Sequence, residues 1–505
     1  MKTLNINEVF FKRGAIIFFV CFFICGCLIF KDYGLSVDEA VQRTIGEVNY
    51  NFIKSGDSKE LLALGDYGEG KYHGPAFEIF LYSAEKLLNL KDSRDIFLMR
   101  HGLNFLLFFI GVLIFYLLGL KIFKSHGAAL LSAVMLVISP RIFAESFYNS
   151  KDLPMLCFCI FACYTTLLFV ERQTIRWAII NAAFCGFAMD IRIMALLLPF
   201  GALYLYLMQK HKKIVPLLMF ISCTLLFTMA FWPVLWIDPE YHFIAAFKQM
   251  SHFTLSVDTL YMGRIVSGPN LPWHYLPVWI LCTTPISYMV LLLVGLFFAL
   301  KNSFVNFKST LPIQLFIYML VTPILAVIIL HSTVYDSWRH VYFVYPFFLL
   351  IAVYGFTQLI NAVKNRLAVR IISFSTVISV IFVLIFMISN HPFQNLYFNS
   401  FAGKNIRQNY EMDYWGLSFK QGLEHILAND KSGNINIASD MGVCFLNFDI
   451  IPIENRKRLN QTDDLKSANY FLTAFRLYPN GFNFGTAVFQ IKVGNEVFME
   501  VRKLN

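Results

Sequence analysis

Charge is scarce in this chain. Only 15% of its 505 residues are Asp, Glu, Lys or Arg, against about 25% in a soluble domain. A surface of this size cannot be solvated by water with so few charges. Other signatures are missing too. The short basic loops hold no carboxylate cluster and no Gly-rich phosphate loop, which excludes nucleotide chemistry there. There is no internal repeat. Ten cysteines are present, but nine sit in apolar runs (Cys21, Cys25, Cys27, Cys157, Cys159, Cys163, Cys185, Cys223, Cys282) and only Cys444 lies in a polar stretch. No metal spacing or disulfide framework follows from them, and they read as packing residues. Lys2, Lys12 and Arg13 precede the apolar run 14–30. No A-x-A cleavage site closes that run, so it reads as a retained first span rather than a signal peptide.

What the chain has instead is apolar length. Hydrophobic residues make up 57%, with 54 Phe, and the mean hydropathy is +0.59. A bilayer core needs about 20 helical residues per crossing. Candidate spans are 14–30, 101–120, 127–139, 154–170, 176–190, 193–208, 214–232, 276–299, 311–330, 341–358 and 370–389. The net charge of +10 is a topology signal rather than a nucleic-acid one, because the cations fall in the gaps between runs. With the N-terminus inside, the inner segments are 1–13, 121–126, 171–176, 209–213, 300–310 and 359–370. Their only acids are Glu8 and Glu171, whereas the short outer connections hold just Arg141, Lys151, Arg192 and Arg339. That bias predicts a cytoplasmic N-terminus. An odd number of spans then carries the tail outside.

The predicted fold is a polytopic α-helical membrane protein with about eleven transmembrane helices over 1–390, followed by a small extracytoplasmic α/β domain over 391–505. Two long outer segments, 31–100 and 233–275, contain amphipathic stretches: "FEIFLYSAEKLLNL" at 77–90 and "YHFIAAFKQMSHF" from 241. Both are expected to lie along the interface. In the tail, "LSFKQGLEHILAND" reads as a helix and "NINIAS" and "NYFLTAF" as strands. "TAVFQIKVGNEVFMEVRK" reads as a hairpin about Gly494-Asn495.

Polar groups at membrane depth are costly and tend to be functional. Several cluster at outer span ends. "YGLSVDEAVQ" places Asp38 and Glu39 side by side, able to take a proton from a hydroxyl. The plain alternative is a helix cap led by Ser36. "GKYHGPAFE" sets Lys71 and His73 before a Gly-Pro turn and a helix start, a setting suited to phosphate. His73 and Glu78 alone are too few ligands for a metal site. "SPRIFAESFYNSKDLP" gathers Arg141, Glu145, Asn149, Lys151 and Asp152, and "MDIRI" adds Asp190 and Arg192. "STVYDSWRHVYF" brings Tyr335, Asp336, Trp338, Arg339 and His340 to a span start, and Arg can grip phosphate with two donors. "LPWHYLPVW" suits an aromatic interfacial belt. "HPFQNLYFNSFAGKN…EMDYWGLS" links the last span to the tail.

In chain order, over residues 30–420, these motifs resemble bacterial family-39-type membrane glycosyltransferases of the GT-C superfamily. Those enzymes are related to protein O-mannosyltransferases and to the aminoarabinose transferases of lipid A. The resemblance implies a multi-pass protein of the bacterial inner (plasma) membrane. It implies a hexosyl or pentosyl transferase that moves a sugar from a polyprenyl-phosphate donor in the bilayer to an extracytoplasmic glycan, lipid or protein acceptor, with inversion. No nucleic acid is involved. Asp38 matches the family's first-loop acid, a general base or acceptor anchor, with Glu39 beside it. The leaving phosphate must be met by cations, for which Lys71, His73, Arg192, Arg339 and His340 are the positional candidates. Tyr72, Asn149, Lys151, Asp152, Asp190, Tyr335 and Asp336 are expected to bind substrate or support the site. Some relatives carry Lys-Pro-Pro in the juxtamembrane turn where this chain has His73-Gly74-Pro75, so Lys71 lies a few residues early for that role. No cofactor is implied with certainty, and dependence on a divalent metal is left open.

Two other classes compete. A transporter would carry repeats and polar residues at mid-membrane, whereas Asp38, Asp152, Asp190 and Arg339 gather at one interface. A polysaccharide polymerase or ligase would differ in transferring a whole chain.

Overall fold

The computed structural model describes residues 6–65, 70–251 and 257–504. Each of the eleven predicted apolar segments is helical. Among the described residues, eight helices are long and apolar enough to cross a membrane by length and composition: Glu8–Ile29, Ser93–Phe123, Asp152–Arg172, Ile214–Phe231, Ile286–Val305, Phe307–Ile329, Arg339–Ala362 and Arg366–Ser389. The chain is a multi-pass membrane protein.

The remaining predicted spans are shorter, and proline explains two departures. The segment 127–139 is the helix His126–Val137, followed by Pro140–Tyr148 bent 66° away from it. Pro140 has no N–H to continue the first helix and is well suited to open the second. The segment 276–299, expected as one span, is split into Tyr275–Thr283 and Ile286–Val305 around Pro285. Ile175–Ile191 and Ile193–Leu207 are each under 18 residues, with Arg192 between them in extended backbone. Helix ends carry ordinary stops. Asn365 accepts from the Leu367 and Ala368 amides, and Gly56 ends the helix Glu39–Ser55 in the left-handed conformation.

Both predicted amphipathic stretches form helices, Ala76–Leu87 and Pro239–Ser251. His252 and Phe253, the end of the second stretch, lie outside the described residues. Glu39–Ser55 is a further amphipathic helix. A two-stranded ribbon follows, β1 (Asp258–Tyr261) against β2 (Arg264–Ser267).

The tail is a five-stranded sheet with strand order β4-β3-β5-β7-β6. Its strands are β3 (Ile435–Ser439), β4 (Leu459–Gln461), β5 (Tyr470–Thr473), β6 (Thr486–Val493) and β7 (Glu496–Lys503). β3 pairs in parallel with β4 and β5, and the predicted hairpin β6–β7 turns at Gly494-Asn495. Helix Phe419–Asn429 covers one face, where Gly422 sits against Met499 and Leu472. Residues 391–418 join two cores. Phe393, Leu396 and Met412 pack with the sheet, while Tyr410, Tyr414, Trp415 and Leu417 pack with the bundle. All ten cysteines are free, and the nine in apolar runs lie in helices of the bundle.

Candidate active site

Span ends converge on one cleft. Its lining includes Asp38, Tyr72, His73, Lys151, Arg192, Tyr335, Arg339 and His340, with Ile191, Ile193, Met194, Ala246 and Val327 forming an apolar flank. The cleft spans about 870 Å³ of free space, part of it open to solvent.

The adjacent acids separate. Asp38 is the last residue before the helix Glu39–Ser55, and its side chain is 27% exposed to the cleft. Glu39, turned about 100° further around the helix, points into the core. It accepts from the Ser36 amide at 2.7 Å and pairs with His101 Nε2 at 2.8 Å. Glu39 therefore serves the helix start, and Asp38 alone faces the cleft.

Arg339 is the centre of the charge network. Its Nη1 donates to Asp38 at 2.8 Å and stands 3.6 Å from Asp152, while Nη2 donates to Asp336 at 3.2 Å. Trp415 and Tyr335 lie against the guanidinium at 4.7 and 5.0 Å from their ring centres. Such contacts contribute about 0.5–2 kcal/mol each when desolvated and restrict the guanidinium's tilt. Trp415 owes its place to Asp413, whose carboxylate accepts from the amides of Gly416, Leu417 and Ser418 and from the Ser418 hydroxyl. Gly416 has φ 73°, the left-handed turn that glycine makes without strain.

The backbone before Arg339 is strained. Asp336 and Ser337 have φ of 53° and 66°, which costs non-glycine residues about 1–3 kcal/mol each. The Ser337 amide, donating to Tyr275 Oη at 3.1 Å, and the ion pairs of Asp336 hold the turn. Asp152 is fixed in turn by Arg192, which donates from Nε at 3.0 Å and also from Nη2. Asn149 braces the turn that leads into the helix Asp152–Arg172. Its Oδ1 accepts from the Asp152 amide at 2.8 Å, and its Nδ2 donates to Glu145 and Asp152.

The turn carrying Tyr72 and His73 is locked from below. Asp190 Oδ2 accepts from the Ala76 amide at 2.9 Å. Gly74 rests directly on Asp190, where any Cβ would overlap the Asp190 backbone. Only glycine permits that approach. His73 is half-buried, and among the described residues its buried Nε2 has no partner. Burial first, then the charges of Lys151 and Arg192, hold its pKa well below the usual imidazole value. The ring is neutral at neutral pH, able to donate or accept. His340 Nδ1 is likewise without a partner among the described residues.

Most predicted site residues thus meet. Asp38, Tyr72, His73, Lys151, Arg192, Tyr335, Arg339 and His340 line the cleft, and Asn149, Asp152, Asp190 and Asp336 stand behind it. Lys71 does not join them. Its ammonium bonds the Leu62 carbonyl at 3.0 Å on the surface, and the lining lysine is Lys151. Glu78 is also elsewhere, buried against Arg100 and Ser150. Among the described residues no group of three or more His, Cys, Asp or Glu is placed to hold a metal ion.

Sequence reading missed Arg476 and Glu411. Arg476 Nη2 donates to Asp336 Oδ1 at 2.6 Å, and its Nε donates to Glu411 at 3.3 Å. A single Arg after a strand carries no local signal, and the contact spans 140 positions.

Residues 95–237 match the family described as dolichyl-phosphate-mannose-protein mannosyltransferase. The match bears out the resemblance drawn from the motifs. The matched stretch includes Lys151, Asp152, Asp190 and Arg192 and leaves out Asp38, His73 and Arg339. Among solved structures, the chain is similar to ArnT from Cupriavidus metallidurans bound to undecaprenyl phosphate, at 12% identity and a TM-score of 0.46, covering 97% of this chain and 98% of that one. It is also similar to the oligosaccharyltransferase AglB from Archaeoglobus fulgidus, in complex with an inhibitory peptide and a dolichol-phosphate. There the identity is 10% and the TM-score 0.48, over 91% of this chain and 70% of that one. No curated protein matches the sequence.

Proposed function

We propose that this protein transfers a sugar from a polyprenyl-phosphate donor to an acceptor hydroxyl, with inversion, and that Asp38 is the general base. The observation that carries the reading is the sharing of Arg339 between Asp38 and the cleft. A donor phosphate entering there competes with Asp38 for the guanidinium. Winning that competition frees the carboxylate to accept the acceptor's proton. The acceptor oxygen then bonds the anomeric carbon as the carbon–oxygen bond to phosphate breaks, and the phosphate leaves with the electron pair. Arg339, Arg192 and Lys151 meet the charge that develops, and one in-line displacement inverts the centre. The apolar flank of Ile193, Met194, Ala246 and Val327 suits the lipid chain.

The matched family description, a mannosyltransferase using a lipid phosphate donor, supports the same chemistry. Lys71 and Glu39 have no part in it. The Lys/Arg bias of the short loops supports a cleft facing away from the cytoplasm in a bacterial inner membrane.

Asp38→Asn tests the reading. Transfer from a polyprenyl-phosphate sugar is expected to fall by about 10²–10⁴-fold, the usual contribution of a general base, with the thermal unfolding profile retained. Full activity in that variant removes Asp38 as the base. Mass spectrometry of envelope glycans and glycoproteins, with and without the protein, identifies sugar and acceptor. Transfer of a whole glycan chain would replace the reading with a polymerase or ligase.

A further inference from the structure

Arg339 is oversubscribed. Three carboxylates lie within 4 Å of one guanidinium, those of Asp38, Asp336 and Asp152. Two of the three have a second cation. Arg192 shares Asp152, and Arg476 shares Asp336 through a bond at 2.6 Å. Asp38, the acid open to the cleft, has Arg339 alone among the ion pairs formed by the described residues.

Arg476 comes from the C-terminal domain. It follows β5, where Thr473 Oγ1 accepts from the Phe475 amide at 2.9 Å and Phe475 takes φ 57°. That left-handed residue is strained, and it turns the chain out of the sheet toward the bundle. Arg407 lies over the Phe475 ring at 4.5 Å. Glu411, which accepts from Thr259 Oγ1 on β1 at 2.7 Å, accepts from Arg476 Nε at 3.3 Å. The sheet domain therefore reaches the residues behind the cleft through one partly buried side chain.

We propose that Arg476 is a positioning residue for Arg339, so that the C-terminal domain completes the donor-phosphate site. Its charge holds Asp336 and keeps that carboxylate from drawing Arg339 away from the cleft. Without Arg476, Asp336 is a buried anion with Arg339 as its one remaining ion-pair partner among the described residues. It then claims the guanidinium and repels the incoming phosphate. This inference rests on the lipid-phosphate reading of the cleft.

The test uses the full-length protein in detergent or nanodiscs, with undecaprenyl phosphate as the binding probe and a polyprenyl-phosphate sugar for kinetics. Arg476→Gln is expected to raise the donor KM and the Kd for undecaprenyl phosphate by about tenfold, with a smaller change in kcat. Adding Asp336→Asn removes the competing charge and is expected to restore both to within about threefold of wild type. A purely structural role for Arg476 would leave the double variant as impaired as the single one, and that result overturns the inference. So does an unchanged KM in folded Arg476→Gln. Where Arg476→Gln does not purify, Arg476→Lys carries the test. It keeps a charge beside Asp336 and is expected to hold the donor KM within about threefold of wild type, and a tenfold rise in the folded variant overturns the proposal. Wild-type protein that neither binds undecaprenyl phosphate nor transfers sugar defeats the functional reading itself. Wild-type binding with no response to Arg476 defeats only this inference.

Discussion

The two ends of the helical bundle use charge in opposite ways. At the end away from the cleft, Lys121 pairs with Glu171, and their side chains are 25% and 62% exposed. At the cleft end, Arg339 and Asp152 are 3% and 1% exposed. Water screens the first pair, so it contributes little to stability. The second is desolvated, and its members depend on one another's exact partners. Cations at the plain end fall in short loops, each beside its own span. Those at the cleft end are held by neighbours from distant parts of the chain.

The strongest way to break this contrast is Arg339→Ala. It leaves three carboxylates without their shared cation, so destabilisation of about 3–5 kcal/mol is expected together with loss of transfer beyond about 10³-fold. Chemical denaturation and a transfer assay would show it. A mild, surface-like effect would erase the difference between the ends.

Next in size is a pH effect at the domain junction. Burial raises the Glu411 pKa from its ordinary 4.5 to about 7, against the opposing pull of Arg476. Its folded value lies above its unfolded one. The contribution is therefore fully present below pH 4.5 and is lost as pH rises to about 7. The loss is at most about 1.4 kcal/mol per pH unit in that window. Unfolding measured across pH 4.5–7 should show that slope for wild type and a flatter one for Glu411→Gln. Equal slopes would remove Glu411 as the source. The smallest expected effect is at the other end, where Lys121→Ala should change stability by no more than about 1 kcal/mol and leave donor KM unchanged. A donor effect there would show that the two ends are coupled.

Much of the architecture was legible because its signals are local. Apolar length marked the spans, alternation around Gly494-Asn495 marked the hairpin, and amphipathic spacing marked Ala76–Leu87. The breaks were less so. Pro140 and Pro285 stand inside apolar runs, and hydropathy alone averages over them. At the site, Asp38, Arg192, Arg339 and His340 were found because polar groups at span ends are conspicuous in a lipid-facing chain. Three assignments needed contacts. Glu39 turns inward to His101, Lys71 stays on the surface, and Lys151 lines the cleft.

By itself the sequence determined that this chain crosses a membrane many times and gathers its acids and arginines at one end. Hydrophobic length and charge placement act along the chain and need no partner to be read. Tertiary structure alone decided which acid faces the cleft, what turns Arg339 toward it, and that Arg476 of the C-terminal domain stands behind Asp336. Buried charges are set by whichever counter-charges packing brings within a few ångströms. Asp38 and Arg339, for example, lie 301 positions apart.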